Sequence, residues 1–416
     1  MSSDAISILV ASDWAPIRAF EPISRRDPAA VYGDILTILR GADLRIVNCE
    51  CALTGAVRPV WKSGAVFKGL PAHAAGLTAV PFDVACLANN HVFDYGLPGF
   101  RETLAVLRRK GIRTVGAGLS PVEARAPLTV NVRGTKVTIV NFSEGEDLTA
   151  ARSGAGVCGW EIDRLVPLIR TLKKRGGLVI AIGHSGLEYV PFPPPYVVEA
   201  FRALSDAGAD CVVGHHPHVP QGLEKRGGRL IAYSLGNFAF FQPTDLTYRR
   251  TGFCISVRFR GGRLISHRLH PYRITDQGLR KLRAGEEKAF LEKILRISRA
   301  LRSGSSVRLA WQAYLDHYGI RGFKAEVLAI LDKMDSDPRK GAAMFRNRIT
   351  TLQHSELWRD TLTRIMAGGG SPSPAWMSAI VREWLTRTIP AGGKPTGSPF
   401  LVLGEVGERD KYDLKS

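Results

Sequence analysis

The chain has 416 residues, 45% of them apolar and 23% charged, with a formal net charge of +19 at pH 7. This balance excludes a disordered polar chain and a small disulfide scaffold, and the length calls for a large domain plus an appendage. The basic excess lies in short clusters, at 108–110 and 173–175 among others. It predicts attraction to anions: a phosphorylated or polycarboxylate substrate, nucleic acid or an anionic membrane surface. No zinc finger, RNP-like aromatic motif or strongly basic helix accompanies it, so no nucleic-acid partner is expected. The start, MSSDAISILVASDW, lacks a basic n-region, and no run approaches eighteen unbroken apolar residues. No integral membrane segment and a cytoplasmic location are expected. Six cysteines occur without a CxxC pair, and Cys86, Cys211 and Cys254 sit in apolar runs, as buried reduced thiols do.

In chain order, the runs at 6–12, 44–48, 82–88, 111–117, 178–183 and 210–214 have the length and β-branched content of buried strands. Helical spacing falls between them at 31–41, 97–110, 160–175 and 196–208. A second strand group, APLTVNV, KVTIVNF, GLEKR, RLIAYSL and FCISVRF, is expected to be antiparallel, with turns at RGGRL and GGRL. After about residue 276 the pattern becomes helical, at 284–303, 307–318, 323–335, 341–352, 355–367 and 374–388. The expected organisation is an α/β layered domain over 1–275, a helical appendage over 276–390 and a loosely ordered tail over 391–416.

Chemistry-bearing residues cluster where strands end. ILVASDW delivers Asp13, LRIVNCE delivers Asn48 and Glu50, and VACLANNHVFDYG delivers Asn89, Asn90, His91 and Asp94. LVIAIGHSGLEY then delivers His184 and Glu188, and GHHPH adds His215, His216 and His218. Carboxylates, an amide oxygen and imidazoles at five strand exits are what a site for divalent cations requires. Taken singly each has a plainer role: Asp13 capping a turn, Glu50 paired with an arginine, Asn90 holding a tight turn, Asp94 orienting His91 or capping the next helix. Lys68, His215 and Glu188 are candidate contacts for an anionic substrate, Lys68 otherwise being a surface lysine and Glu188 a partner for an imidazole N–H. Asn237, in YSLGNF, is expected in a structural turn beneath the site. His73, His267, His270, His317 and His354 have no companions in the sequence and read as structural.

The blocks NCECALTG, ANNHVFDYG, HSGLEY, GHHPHVPQGLE and YSLGNFAF resemble those of the CapA family of capsule-synthesis proteins, which includes the poly-gamma-glutamate synthesis protein. The resemblance covers about residues 5–245. It implies a metallophosphatase-like (calcineurin-like) fold, a β-sandwich flanked by helices. It also implies two divalent ions (Mn, Fe, Zn or Mg), with Asp13 and Asn90 as ligands and Glu50 bridging the two metals. His184 and His216 are then ligands of one ion and His218 of the other, with His215 competing for the place of His216. His91 is implied as the group that protonates the leaving oxygen or clamps a phosphate oxygen, with Asp94 orienting it. Ordinary metallophosphatases carry a histidine two residues after the first aspartate, where this chain has Ala15. The function implied is phosphoester hydrolysis by a hydroxide held between the two metals. The alternative is a non-hydrolytic component of poly-gamma-glutamate or capsular polymer synthesis, holding a polyanion in the same cleft.

Overall fold

The computed structural model describes residues 5–145, 149–369 and 372–389; the tail expected over 391–416 lies outside them. Two mixed sheets face each other. In the larger, Ile6–Ala15, Leu44–Cys49, Val84–Cys86 and Arg113–Val115 run parallel, and Thr251–Arg260, Arg263–Thr275 and Gly278–Lys281 extend it antiparallel. In the smaller, Arg229–Ala232, Cys211–His215, Leu178–His184 and Thr135–Ser143 run parallel, with antiparallel edges Leu223–Arg226 and Leu128–Val132.

Strand periodicity explains the layering. Ile8, Val10, Ile180 and Ile182 point into the space between the sheets. Their neighbours point outward: Leu9 and Ala11 pack with Leu77 and Phe100, and Val179 and Ala181 with Leu165, Ile169 and Phe201. Strands covered on both faces read as continuous apolar runs, which is why they are legible. The result is the expected layered α/β sandwich with helices outside.

Two expectations need correction. The second strand group is mixed rather than antiparallel: KVTIVNF pairs parallel with Leu178–His184, and RLIA pairs parallel with Cys211–His215. Their hairpin partners at the sheet edges, and FCISVRF in the larger sheet, run antiparallel. The helix expected at 31–41 is a 3-10 turn, Ala30–Ile35, followed by Leu36–Arg40. Gly33 kinks it with φ 47°, and a Cβ there would meet the Leu279 carbonyl oxygen at 2.0 Å, so no other residue fits.

The helical part comprises Ala284–Ser298, Gly304–Ser336, Pro338–Thr350, Leu352–Met366 and Ala375–Thr386. The helices expected at 307–318 and 323–335 lie within one element, broken by Gly319 at φ 50°. Their apolar faces continue the core between the sheets. Phe290 meets Phe253 edge-on, Trp384 stacks on Tyr248 with ring centroids 3.6 Å apart, and Trp384 Nε1 donates to the Pro220 carbonyl at 3.3 Å. Among the described residues no helix is long and apolar enough to cross a membrane.

Candidate metal centre

The parallel strands of both sheets deliver their C-terminal ends to one place, the usual position for a site in an open α/β sheet. Asp13 and Asn48 are register partners on adjacent strands, and His184 and His215 are partners in the facing sheet. Beyond His215 the chain reverses through His216 and His218, held at φ 97° and φ 56°. Positive φ is strained for residues with a Cβ, and such strain concentrates at functional sites. Here it turns both imidazoles inward.

His184 Nε2 lies 2.9 Å from Asn90 Oδ1, 3.2 Å from His216 Nδ1 and 3.4 Å from Glu50 Oε1. One imidazole proton can serve only one of these. His218 Nδ1 is 2.9 Å from Asn237 Oδ1 and 3.3 Å from Asp13 Oδ2, and its Nε2 is 3.7 Å from Glu50 Oε1 and 3.9 Å from Glu188. Asn48 donates to Asp13 Oδ1 at 2.9 Å and is itself held by Asn89. Asp13 Oδ2 and both oxygens of Glu50 are buried without a hydrogen-bond partner.

Burial, and secondarily the charge of Asp13, pushes the Glu50 carboxyl well above the usual carboxylate range. Burial also pushes the Asp13 carboxyl up, but the His218 imidazole 3.3 Å from its Oδ2 outweighs burial and leaves Asp13 below its ordinary value. Burial pulls His184 well below the imidazole range and His215 down to about 4, so both are neutral near pH 7. Neutral imidazoles and orphaned carboxylate oxygens crowded together fit divalent cations, because uncompensated buried carboxylates otherwise cost several kcal/mol each. Two sets of potential ligands have their atoms mutually within 4.8 Å: Asp13, Glu50 and His184, and Glu50, His216 and His218. Glu50 belongs to both. His216 falls in the second set, while its Nδ1 also lies 3.2 Å from His184 Nε2. His215 stands in neither set; its Nδ1 contacts Ser12 Oγ at 3.1 Å.

His91 and Asp94 form a unit beside the cluster. His91 Nδ1 is 2.7 Å from Asp94 Oδ2, which also accepts the Phe67 backbone N–H at 2.6 Å. Asp94 Oδ1 pairs with Lys62 Nζ at 3.0 Å, and Lys62 also donates to the Asn90 carbonyl at 2.8 Å. Lys62 escapes sequence inspection because WKSGAV carries no pattern that marks a buried lysine. Lys68 is placed differently: its Nζ donates to the Ala56 carbonyl at 2.7 Å and lies 4.8 Å from the Tyr95 ring centre, outside the cavity lining.

A cavity of about 60 Å³ lies over the cluster, lined by Asn90, His91, Glu188 and His218 from the sandwich and by Gln353 and His354 from the helical part. His354 is therefore not merely structural in position, and its Nδ1 is buried without a partner. The roof is pinned by Lys340 Nζ, which donates to the carbonyls of Lys62 and Gly64 at 3.0 and 2.8 Å. Among the described residues, all six cysteines are free and buried.

Fold and centre together define a layered α/β protein whose strand ends gather a buried carboxylate–imidazole cluster able to hold metal ions. The chain belongs to the bacterial capsule synthesis protein PGA_cap family, which it matches over residues 7–242. It is 37% identical over 164 residues to the PGA biosynthesis protein CapA of Bacillus subtilis, covering 39% of this chain and 43% of that protein. It is 36% identical over 167 residues to the capsule biosynthesis protein CapA of Bacillus anthracis, covering 39% and 41% respectively. A probable polyglutamine synthesis accessory protein of Mycobacterium tuberculosis is 30% identical over 243 residues, covering 53% of this chain and 63% of that one. The chain thus spans less than two thirds of the length of these relatives. Gln353 and His354 lie beyond the family match.

Proposed function

We propose that the chain is a metal-dependent phosphoesterase, and that its centre holds two divalent cations. The observation that carries this is the convergence of orphaned Asp13 and Glu50 oxygens with His184, His216, His218 and Asn90 beside a cavity that His91 also lines. Asp13, Glu50, Asn90, His184, His216 and His218 would hold the cations. When bound, these supply Lewis acidity, giving a water nucleophile at neutral pH and neutralising charge on phosphoryl oxygens. Asp94, fixed by Lys62 and the Phe67 N–H, holds the His91 ring so that Nε2 serves the leaving oxygen. As the phosphorus–oxygen ester bond breaks, His91 gives that oxygen a proton. Glu188, on the cavity wall, and the basic surface select for the shape and charge of the substrate.

The test is metal analysis on protein purified without chelators, followed by assays on simple phosphomono- and diesters. The proposal expects about two equivalents of metal, lost in a His216→Ala/His218→Ala double variant, and turnover abolished by chelation and restored by Mn²⁺ or Zn²⁺. His91→Ala should keep the metal and lose on the order of 10²–10⁴-fold in turnover. Protein that takes up no metal even after incubation with Mn²⁺ and Zn²⁺ removes the proposal.

The names of the relatives favour a second reading, a non-hydrolytic role in polyglutamate or capsular polymer synthesis with the anionic polymer held at the same centre. Metal binding without turnover on any ester, combined with binding of poly-gamma-glutamate, would favour it over hydrolysis.

A further inference from the structure

The helical part does more than cover the cluster. Gln353, near the start of Leu352–Met366, is 4% exposed, and its Oε1 lies 3.0 Å from His216 Nε2. Its backbone N–H donates to Glu144, whose carboxylate also takes the Gly186 N–H at 3.0 Å and the Tyr196 hydroxyl at 2.6 Å. Gln353 is therefore anchored through its backbone to the strand exits that carry His184, and its side chain reaches the imidazole opposite.

A neutral imidazole carries one proton. If Nε2–H is the donor to an amide oxygen, Nδ1 keeps its lone pair, and Nδ1 is the nitrogen that faces His184 Nε2 at 3.2 Å. Histidine ligands commonly have their second nitrogen held in this way, which fixes both tautomer and ring orientation. The other histidines of the cluster take their partners from the sandwich: His218 Nδ1 lies 2.9 Å from Asn237 Oδ1, and His184 Nδ1 accepts from Asn48 Nδ2, 3.2 Å away. His216 takes its partner from a residue 137 positions along the chain.

We propose that Gln353 is a positioning residue of the metal centre: its amide oxygen takes the Nε2–H of His216 and presents His216 Nδ1 to the cations. This rests on the metal-centre reading above. It makes docking of the helical part a condition for a complete ligand set, so cation binding and helix docking reinforce each other.

The experiment uses the full chain and Co²⁺ as probe, with affinity from chelator competition and geometry from the visible ligand-field spectrum. Gln353→Leu should weaken Co²⁺ binding on the order of 10–100-fold and alter the spectrum. Gln353→Glu, which keeps an acceptor, should restore both. Lys340→Met, which removes one tie of the roof but leaves Gln353 and its Glu144 anchor in place, should weaken Co²⁺ binding far less than Gln353→Leu and leave the spectrum unchanged. Wild-type affinity and spectrum in Gln353→Leu overturn the inference, as does an equal loss in Lys340→Met. Should Gln353→Leu fail to fold, ¹⁵N spectra of histidine-labelled wild type decide: an Nε2–H tautomer at His216 supports the inference and an Nδ1–H tautomer overturns it. A wild type that binds no Co²⁺ removes the metal-centre reading itself.

Discussion

Two buried glutamates, one in the helical part and one at a strand exit, live in opposite electrostatic worlds. Glu326, in the helical part, is 4% exposed, and its oxygens accept from Arg348 Nε, the Tyr318 hydroxyl and Trp358 Nε1. Glu50, at a strand exit, is 0% exposed and has a hydrogen bond to neither oxygen. Burial is the same and residue type is the same, so neither explains the difference. A buried carboxylate with an arginine and two further donors is complete, and it holds helices together. One surrounded by imidazoles and a second carboxylate has the donors to take up a cation.

The same conservative substitution at both positions should therefore give opposite results. Glu326→Gln removes the charge that balances buried Arg348 and should cost about 3–5 kcal/mol in chemical unfolding, metal present or not. Glu50→Gln gives up no hydrogen bond, so without metal its stability should stay within about 1 kcal/mol of wild type. Its loss appears on adding Mn²⁺ or Zn²⁺: the wild type should gain about 2.7 kcal/mol at a hundredfold excess over Kd, and the variant far less. If Glu50→Gln destabilises the metal-free protein as much as Glu326→Gln does, the two glutamates are alike and the metal centre is wrongly drawn.

The difference between them was only half visible in the sequence. Asp13, Glu50, Asn90, His184, His216 and His218 stand directly after runs such as ILVAS and LVIAIG, whose double-sided burial makes them unmistakable as strands. Parallel strands ending together then bring those residues into one cluster. Gln353, His354 and Lys62 were not legible, because their contacts with the site span long sequence separations and leave no local periodicity. Lys68 illustrates the converse: it lies near conspicuous motifs, yet its ammonium finds a local carbonyl and a tyrosine ring. Sheet direction was misjudged for a related reason. A hairpin signal such as RGGRL reports its own two strands, and says nothing of the neighbour that RLIA meets on its other edge. The strand Arg263–Thr275 was missed because its first half is largely exposed and rich in basic residues and lacks the apolar run that marked the others.

Strain offers a smaller test of which side of the comparison a residue belongs to. His216 at φ 97° keeps a conformation that a Cβ disfavours. With the ring removed in either case, His216→Gly should be more stable than His216→Ala by about 1 kcal/mol, read from unfolding midpoints. If the alanine variant is the more stable, the turn relaxes without the ring, and the positive φ is imposed by the imidazole contacts rather than by the chain reversal.

A third glutamate gives the smallest effect and a pH signature. Glu286 opens Ala284–Ser298, where it makes two bonds to Arg280, both 2.9 Å, and accepts the Arg283 N–H at 2.9 Å. Hydrogen bonding to Arg280, and then to the Arg283 N–H, more than offsets partial burial and brings its carboxyl down to about 2. A depressed folded-state value means the ionised form is favoured by folding. Its contribution is therefore complete above the unfolded carboxylate value of about 4.3 and is lost as pH falls toward 2. The side chain is 37% exposed, so solvent screening keeps the contribution below about 1 kcal/mol. The stability difference between wild type and Glu286→Gln should be constant near neutral pH and shrink between about pH 5 and pH 2. A difference that stays level through that window would mean the pair contributes nothing beyond an uncharged cap. Glu286 would then be an exposed acid whose arginine is incidental, unlike Glu326, where the arginine is indispensable.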